Sequence, residues 1–171
     1  NVNAQRDEVA TDCHWATEKY YDLLRYHLDR NSIDDQGEAL ESHVHYDQNY
    51  GNAFWDGRRS TFGDGDPNSG IELPSVTLDV VAHEFTHGLT DRTSDLIYAE
   101  EYGALNESFS DILGIATVFI YRPEDATWAI GADLSTDGQG IRNMRDPGIF
   151  NNPQTYRGDN WTDGAGVHTN S

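Results

Sequence analysis

Cysteine is nearly absent from this 171-residue chain: Cys13 stands alone, so no internal disulfide is possible and the redox compartment is not legible from thiols. Its neighbour His14 would point elsewhere on a helix, so Cys13 reads as a packed side chain and not as a nucleophile with its base. Positive charge is also scarce. Eleven lysines and arginines face thirty aspartates and glutamates, a formal net charge of −19. No basic stripe is left to neutralise phosphates, which excludes a nucleic-acid partner. Long apolar runs are missing too: none approaches the ~20 residues of a membrane span, so no membrane partner is expected. No charged-then-apolar leader opens the chain, so a secretion signal would have to lie outside it. What remains is enough chain for one domain with a real core, or for two small lobes sharing a cleft.

The stretch that carries chemistry is His83-Glu84-Phe85-Thr86-His87, inside a run from Leu78 to Leu89. At about 100° per residue, Leu78, Val81, Ala82, Phe85 and Leu89 form an apolar stripe, while His83 and His87 meet on another face. Two imidazoles pointing the same way suit tetrahedral Zn²⁺, and Glu84 stands beside the metal on a different bearing, placed to hold a proton. Farther on, Glu107 and Asp111 lie one turn apart on a second helical run through Tyr121. A ligating carboxylate and a carboxylate that orients a ligating histidine would arrive together.

With His-Glu-Phe-Thr-His followed at this spacing by Gly103-Ala104-Leu105-Asn106-Glu107-Ser108-Phe109-Ser110-Asp111, the chain resembles the thermolysin-like zinc metalloproteases, gluzincins with two histidines and one glutamate on the metal. The resemblance implies zinc ligands His83, His87 and Glu107, a general base at Glu84, and supporting partners at Asp111 and Asn106. It implies an α+β fold: a mixed β/α lobe over residues 1–95 with the substrate edge strand and the zinc helix, then the start of a helical lobe over 96–171, with the zinc cleft between them. Tyr98 matches a tyrosine that assists the oxyanion, and His168, in Gly166-Val167-His168-Thr169-Asn170-Ser171, matches the second catalytic histidine, with Asp163 as the acid holding it protonated. Arg142 matches an arginine that grips the substrate carbonyl. Asn52 and Ala53, in Asn52-Ala53-Phe54-Trp55, match the strand on which substrate backbone pairs. Val80, Leu134 and Ile141 are expected to line an apolar pocket favouring a bulky hydrophobic residue just after the cleaved bond.

Around these motifs the pattern predicts scaffold. Thr11 or Asp12 is expected to cap a helix to about Arg30, with Ala16, Tyr20, Leu23, Leu24 and Leu28 on one stripe. His43 and His45, two apart, read as a polar strand face without a third metal ligand. Asp56-Gly57 signals a hairpin turn, residues 93–102 a crossing between lobes, and Trp128–Gly131 a loop or short strand. Gly114 shares the stripe of Glu107 and Asp111 and allows close approach to the zinc helix.

The family's paired calcium site falls on Asp79, Val118, Thr127 and Ala132, where only Asp79 keeps a carboxylate, so that Ca²⁺ site is expected to be degenerate, with Glu124 or Asp125 as partial substitutes. The resemblance spans about Asp12 to Ser171, so the remaining part of the same protein, or a propeptide, is the expected partner besides a peptide substrate. The enzyme is expected to be secreted as a zymogen. Two rivals stand beside the endopeptidase: a gluzincin aminopeptidase, and an inactive zinc-stabilised fragment that binds partners.

Overall fold

The computed structural model describes residues 7–134 and 136–171; the first six residues of the expected N-terminal lobe lie outside that range. In order, the chain forms α1 (Glu8–His27), β1 (Ser42–His43), β2 (Ala53–Trp55), β3 (Ser60–Phe62), α2 (Leu78–Asp91), α3 (Glu100–Tyr121), β4 (Ala129–Ile130) and β5 (Arg142–Asn143), with short 3₁₀ turns at Ala132–Leu134 and Pro147–Phe150. This is the expected α+β architecture.

Helix α1 starts earlier than its sequence signals suggest. Asp7, not Thr11 or Asp12, is the cap, its side chain accepting from Ala10 N at 3.0 Å. The helix also stops earlier, at His27, because Leu28 N turns back to Leu23 O and Asp29 takes a φ of 53°. Leu28 is therefore exposed, while Cys13, Ala16, Tyr20, Leu23 and Leu24 are buried.

Strands β2 and β3 form the expected hairpin, with Ala53 opposite Phe62 and Trp55 opposite Ser60. Gly57 supplies the one positive φ of the turn, and Asp56 accepts from Arg58 N and Arg59 N. Because the sheet order is β1-β3-β2, the outer side of β2 has no strand partner among the described residues. His45 does not share a strand face with His43. Its φ is 60°, and its ring bridges Asp64 at 2.9 Å and Asp7 at 3.0 Å, since the strand ends at His43.

Helix α2 is buried on nearly every face, which makes it the centre of the molecule. Helix α1 packs on one side, where Tyr20 stacks on Phe85 and meets Thr86 Oγ1 at 3.0 Å. Helix α3 packs on the other, through Gly114: a Cβ there would stand 2.8 Å from the Asp79 carbonyl, so the side-chain-free position sets the helix spacing. The crossing before α3 is shorter than the expected 93–102, because the helix already opens at Glu100. Its outer face leaves Leu105, Phe109, Ile112 and Phe119 substantially exposed.

The Trp128–Gly131 stretch resolves into β4, which pairs with β5 so that Ile130 stands opposite Arg142. Asp79 lies beneath this hairpin, fully occupied by donors: Thr77 Oγ1 at 2.7 Å, Val80 N at 2.9 Å and Gly131 N at 2.6 Å. The small cavity next to it is lined by Val118, Thr127, Ala132 and Arg122, and the Arg122 guanidinium pairs with Asp125 at 2.6 Å.

Candidate active site

Helical spacing on α2 stacks His83 and His87 one turn apart, with ring centroids 4.7 Å from each other. Each ring is held from behind. His83 Nδ1 lies 2.8 Å from Asp111 Oδ1, and His87 Nδ1 lies 2.8 Å from Asn106 Oδ1. Both partners are acceptors, so each Nδ1 carries a proton and each Nε2 is the atom left to bind a metal once it is deprotonated. The two Nε2 atoms stand 3.1 Å apart, and each is 3.4 Å from a Glu107 carboxylate oxygen.

Ligand atoms that converge in this way need a cation, or a shared proton, among them. The three ligand atoms fall within 4.8 Å of one another, and this is the one such cluster among the described residues. Ligands about 2.0–2.1 Å from a tetrahedral Zn²⁺ sit roughly 3.3 Å apart, so this donor set fits zinc in both chemistry and spacing.

Protons compete with a metal for these atoms. Burial works against charge on His83, yet its hydrogen bonds to Asp111 and Glu107 prevail and push it up to about 10. Burial, helped by the neighbouring His83 charge, pushes His87 down to about 4. Two imidazoles one turn apart are driven in opposite directions because the pocket holds one positive charge and not two. Burial also opposes the Glu107 charge, but the His168 and His83 rings beside it hold the carboxyl well below the usual carboxylate range.

Glu84 faces the same space without binding anything. Its Oε2 is buried with no hydrogen-bond partner, and burial pushes its pKa up to about 7. The Tyr98 hydroxyl donates to Glu107 Oε1 and lies 3.4 Å from His168 Nε2. His168 Nδ1 is 2.9 Å from Glu107 Oε2, within ion-pair distance but off the hydrogen-bond direction, since that oxygen keeps no hydrogen-bonded partner.

All of these groups open onto a cleft of about 430 Å³. Asn52 and Ala53 line one edge, and Val80, Leu134 and Ile141 line an apolar stretch of wall, joined by Ile71 and Ile130, which sequence reasoning missed. Two expected residues have partners that the sequence did not signal. Arg142, expected to reach substrate, lines the cleft and also gives two hydrogen bonds to Asp111, at 2.6 and 2.7 Å, because the β4–β5 pairing brings it beside that carboxylate. Asp163, expected to hold His168, accepts instead from Trp161 Nε1 at 2.9 Å in an exposed turn and has no contact with His168. The residue that does secure this segment is Asn152, whose side chain donates to the carbonyls of His168 and Thr169 at 3.0 and 3.1 Å. No motif signals it. Trp55, likewise unflagged, donates to Asp91 at 2.6 Å and ties β2 to the end of α2.

Family comparison decides the lineage. Residues 1–91 match the model of the thermolysin metallopeptidase catalytic domain, and residues 94–171 that of its alpha-helical domain. The chain belongs to the thermolysin metallopeptidase family. It is 43% identical over 176 aligned positions to a bacillolysin of Bacillus cereus, covering 99% of this chain and 30% of that protein. It is 40% identical to a thermolysin of Alicyclobacillus acidocaldarius, covering 98% of this chain and 31% of that protein. Among solved structures, the precursor of protealysin, a metalloproteinase from Serratia proteamaculans, superposes with a TM-score of 0.81 at 32% identity, over 98% of this chain and 58% of the other. The chain thus spans about three-tenths of the length of these curated relatives. Membership of the thermolysin family implies zinc, and the His83–His87–Glu107 cluster is where a thermolysin-family chain with these donors would hold it.

Proposed function

We propose that the protein carrying this chain is a zinc-dependent endopeptidase of thermolysin type. The observation that carries the reading is three metal-ligand atoms converging beside a buried, unpartnered carboxylate, Glu84. Zinc bound by His83, His87 and Glu107 would supply Lewis acidity, bringing the pKa of an attacking water toward ~7 and polarising a peptide carbonyl. Glu84 takes the water's proton and later passes it to the leaving amine; a pKa near the operating pH suits both steps. Tyr98 and His168 donate to the oxygen that becomes negative in the transition state, and both stand at the cleft beside Glu107. Asp111 and Asn106 hold the histidine rings in the required tautomer. Arg142 acts first by charging and holding Asp111.

Substrate backbone pairs along the free edge of β2 at Asn52 and Ala53, and a bulky hydrophobic side chain just after the cleaved bond enters the wall of Val80, Leu134 and Ile141. Residues 1–95 and 96–171 form the two sides of this cleft. The exposed Leu105, Phe109, Ile112 and Phe119 of α3 are covered by the rest of the same polypeptide or by a propeptide, and the enzyme acts after secretion.

The full-length protein should cleave casein, lose that activity to a chelator and regain it with zinc. Cleavage of aminoacyl amides alone would make it an aminopeptidase, and zinc bound with no turnover a binding module. Tyr98→Phe is expected to lower kcat by roughly 10²–10³ with KM little changed, since its hydroxyl acts on the transition state. An unchanged kcat would remove Tyr98 from the mechanism.

A further inference from the structure

Glu84 Oε2, Glu107 Oε2 and Ser75 Oγ are buried without a hydrogen-bond partner, and all three residues line the cleft. The two carboxylates face proton transfer and metal. Ser75 has no such assignment. Native proteins pair nearly all buried polar atoms, so an orphan in the wall of a ligand cleft marks a partner that arrives with the ligand.

The serine is held deep in the wall. It is 1% exposed, and its backbone N–H is fixed on Gly63 O at 3.0 Å. The segment leading to it is tied across the pocket, since Glu72 N and Leu73 N both donate to Leu134 O, at 2.9 and 3.0 Å. The cleft that it lines also carries Ile71, Val80, Ile130, Leu134 and Ile141. Apolar side chains of this kind offer a hydroxyl no hydrogen-bond partner.

We propose that Ser75 is a specificity-determining residue of this pocket, its hydroxyl pairing with the polar tip of a bulky, otherwise apolar substrate side chain, for which tyrosine is the fit. The assignment rests on the endopeptidase reading, in which that pocket takes the residue after the cleaved bond. A phenylalanine of the same girth fills the apolar wall but leaves the serine oxygen unpaired, whereas the tyrosine hydroxyl both donates and accepts. A neutral hydrogen bond of this kind is worth about fivefold in discrimination.

The test uses the full-length, zinc-loaded protein and two peptides that differ only in Tyr or Phe directly after the cleaved bond. We expect kcat/KM to favour the Tyr peptide by about fivefold. Ser75→Ala should bring the ratio to about one by slowing the Tyr peptide while leaving the Phe peptide unchanged or faster. The same ratio in both proteins overturns the assignment and leaves the endopeptidase reading intact, since both peptides are still cut. Should neither be cut, the endopeptidase reading fails by itself, and the two peptides are titrated onto the zinc-loaded protein by calorimetry. There a Tyr preference that disappears in Ser75→Ala supports the assignment, and equal or undetectable affinities overturn it.

Discussion

Glu84→Gln should bind zinc as tightly as the native protein and turn over about 10²–10⁴ times more slowly, the usual contribution of a positioned general base. The side chain lies in the cleft but outside the ligand set, so nothing that grips the metal is removed. Glutamine keeps the shape and loses the ability to take a proton. The same change removes a carboxylate that burial makes costly to ionise, as its pKa near 7 records, so thermal stability should not fall. Parallel zinc titration, steady-state kinetics and thermal unfolding read the three quantities. A native rate in Glu84→Gln would strip that residue of its role, and lost zinc would mean that it supports the metal directly.

Asp111→Ala should lower both stability and zinc affinity, although the residue is not itself among the metal ligands. This carboxylate is 2% exposed and serves two masters: His83 Nδ1 at 2.8 Å, and the Arg142 guanidinium through two bonds. Truncation leaves a largely buried arginine without its partner, which typically costs about 3–5 kcal/mol. It also frees His83 to rotate and change tautomer, a loss that usually lowers metal affinity by about 10–100-fold. Asp111→Asn should recover part of the zinc affinity, because an amide oxygen can still accept from His83, while the charge on Arg142 stays unbalanced. Unfolding temperature and a competitive zinc titration measure the two effects separately. An alanine variant as stable and as tight for zinc as the native chain would show that neither contact matters.

Much of the candidate site was legible in the sequence because helical periodicity is local. His83 and His87 meet, and Glu107 and Asp111 share a face, for reasons settled within a few turns of chain. The β2–β3 hairpin was legible for the same reason, through Gly57. Element ends were less so. Asp7 outcompeted Thr11 and Asp12 as a cap because it comes first and its carboxylate reaches Ala10 N, and α3 opened at Glu100 without a side-chain cap to announce it. His45 left the strand for a bridge between two aspartates that lie far from it in sequence.

By itself the sequence determined which candidate ligand atoms exist, that His83 and His87 come in helical register, and that the Glu84 carboxylate stands beside them; these follow from side-chain chemistry and a repeat of about 3.6 residues. Only the tertiary structure decided how the remaining charges are paired. Arg142 went to Asp111, Asp163 went to Trp161, and His168 came to Glu107 with Asn152 holding its backbone. Those choices depend on where sheets and loops bring distant segments together, and on how deeply each group is buried once they meet.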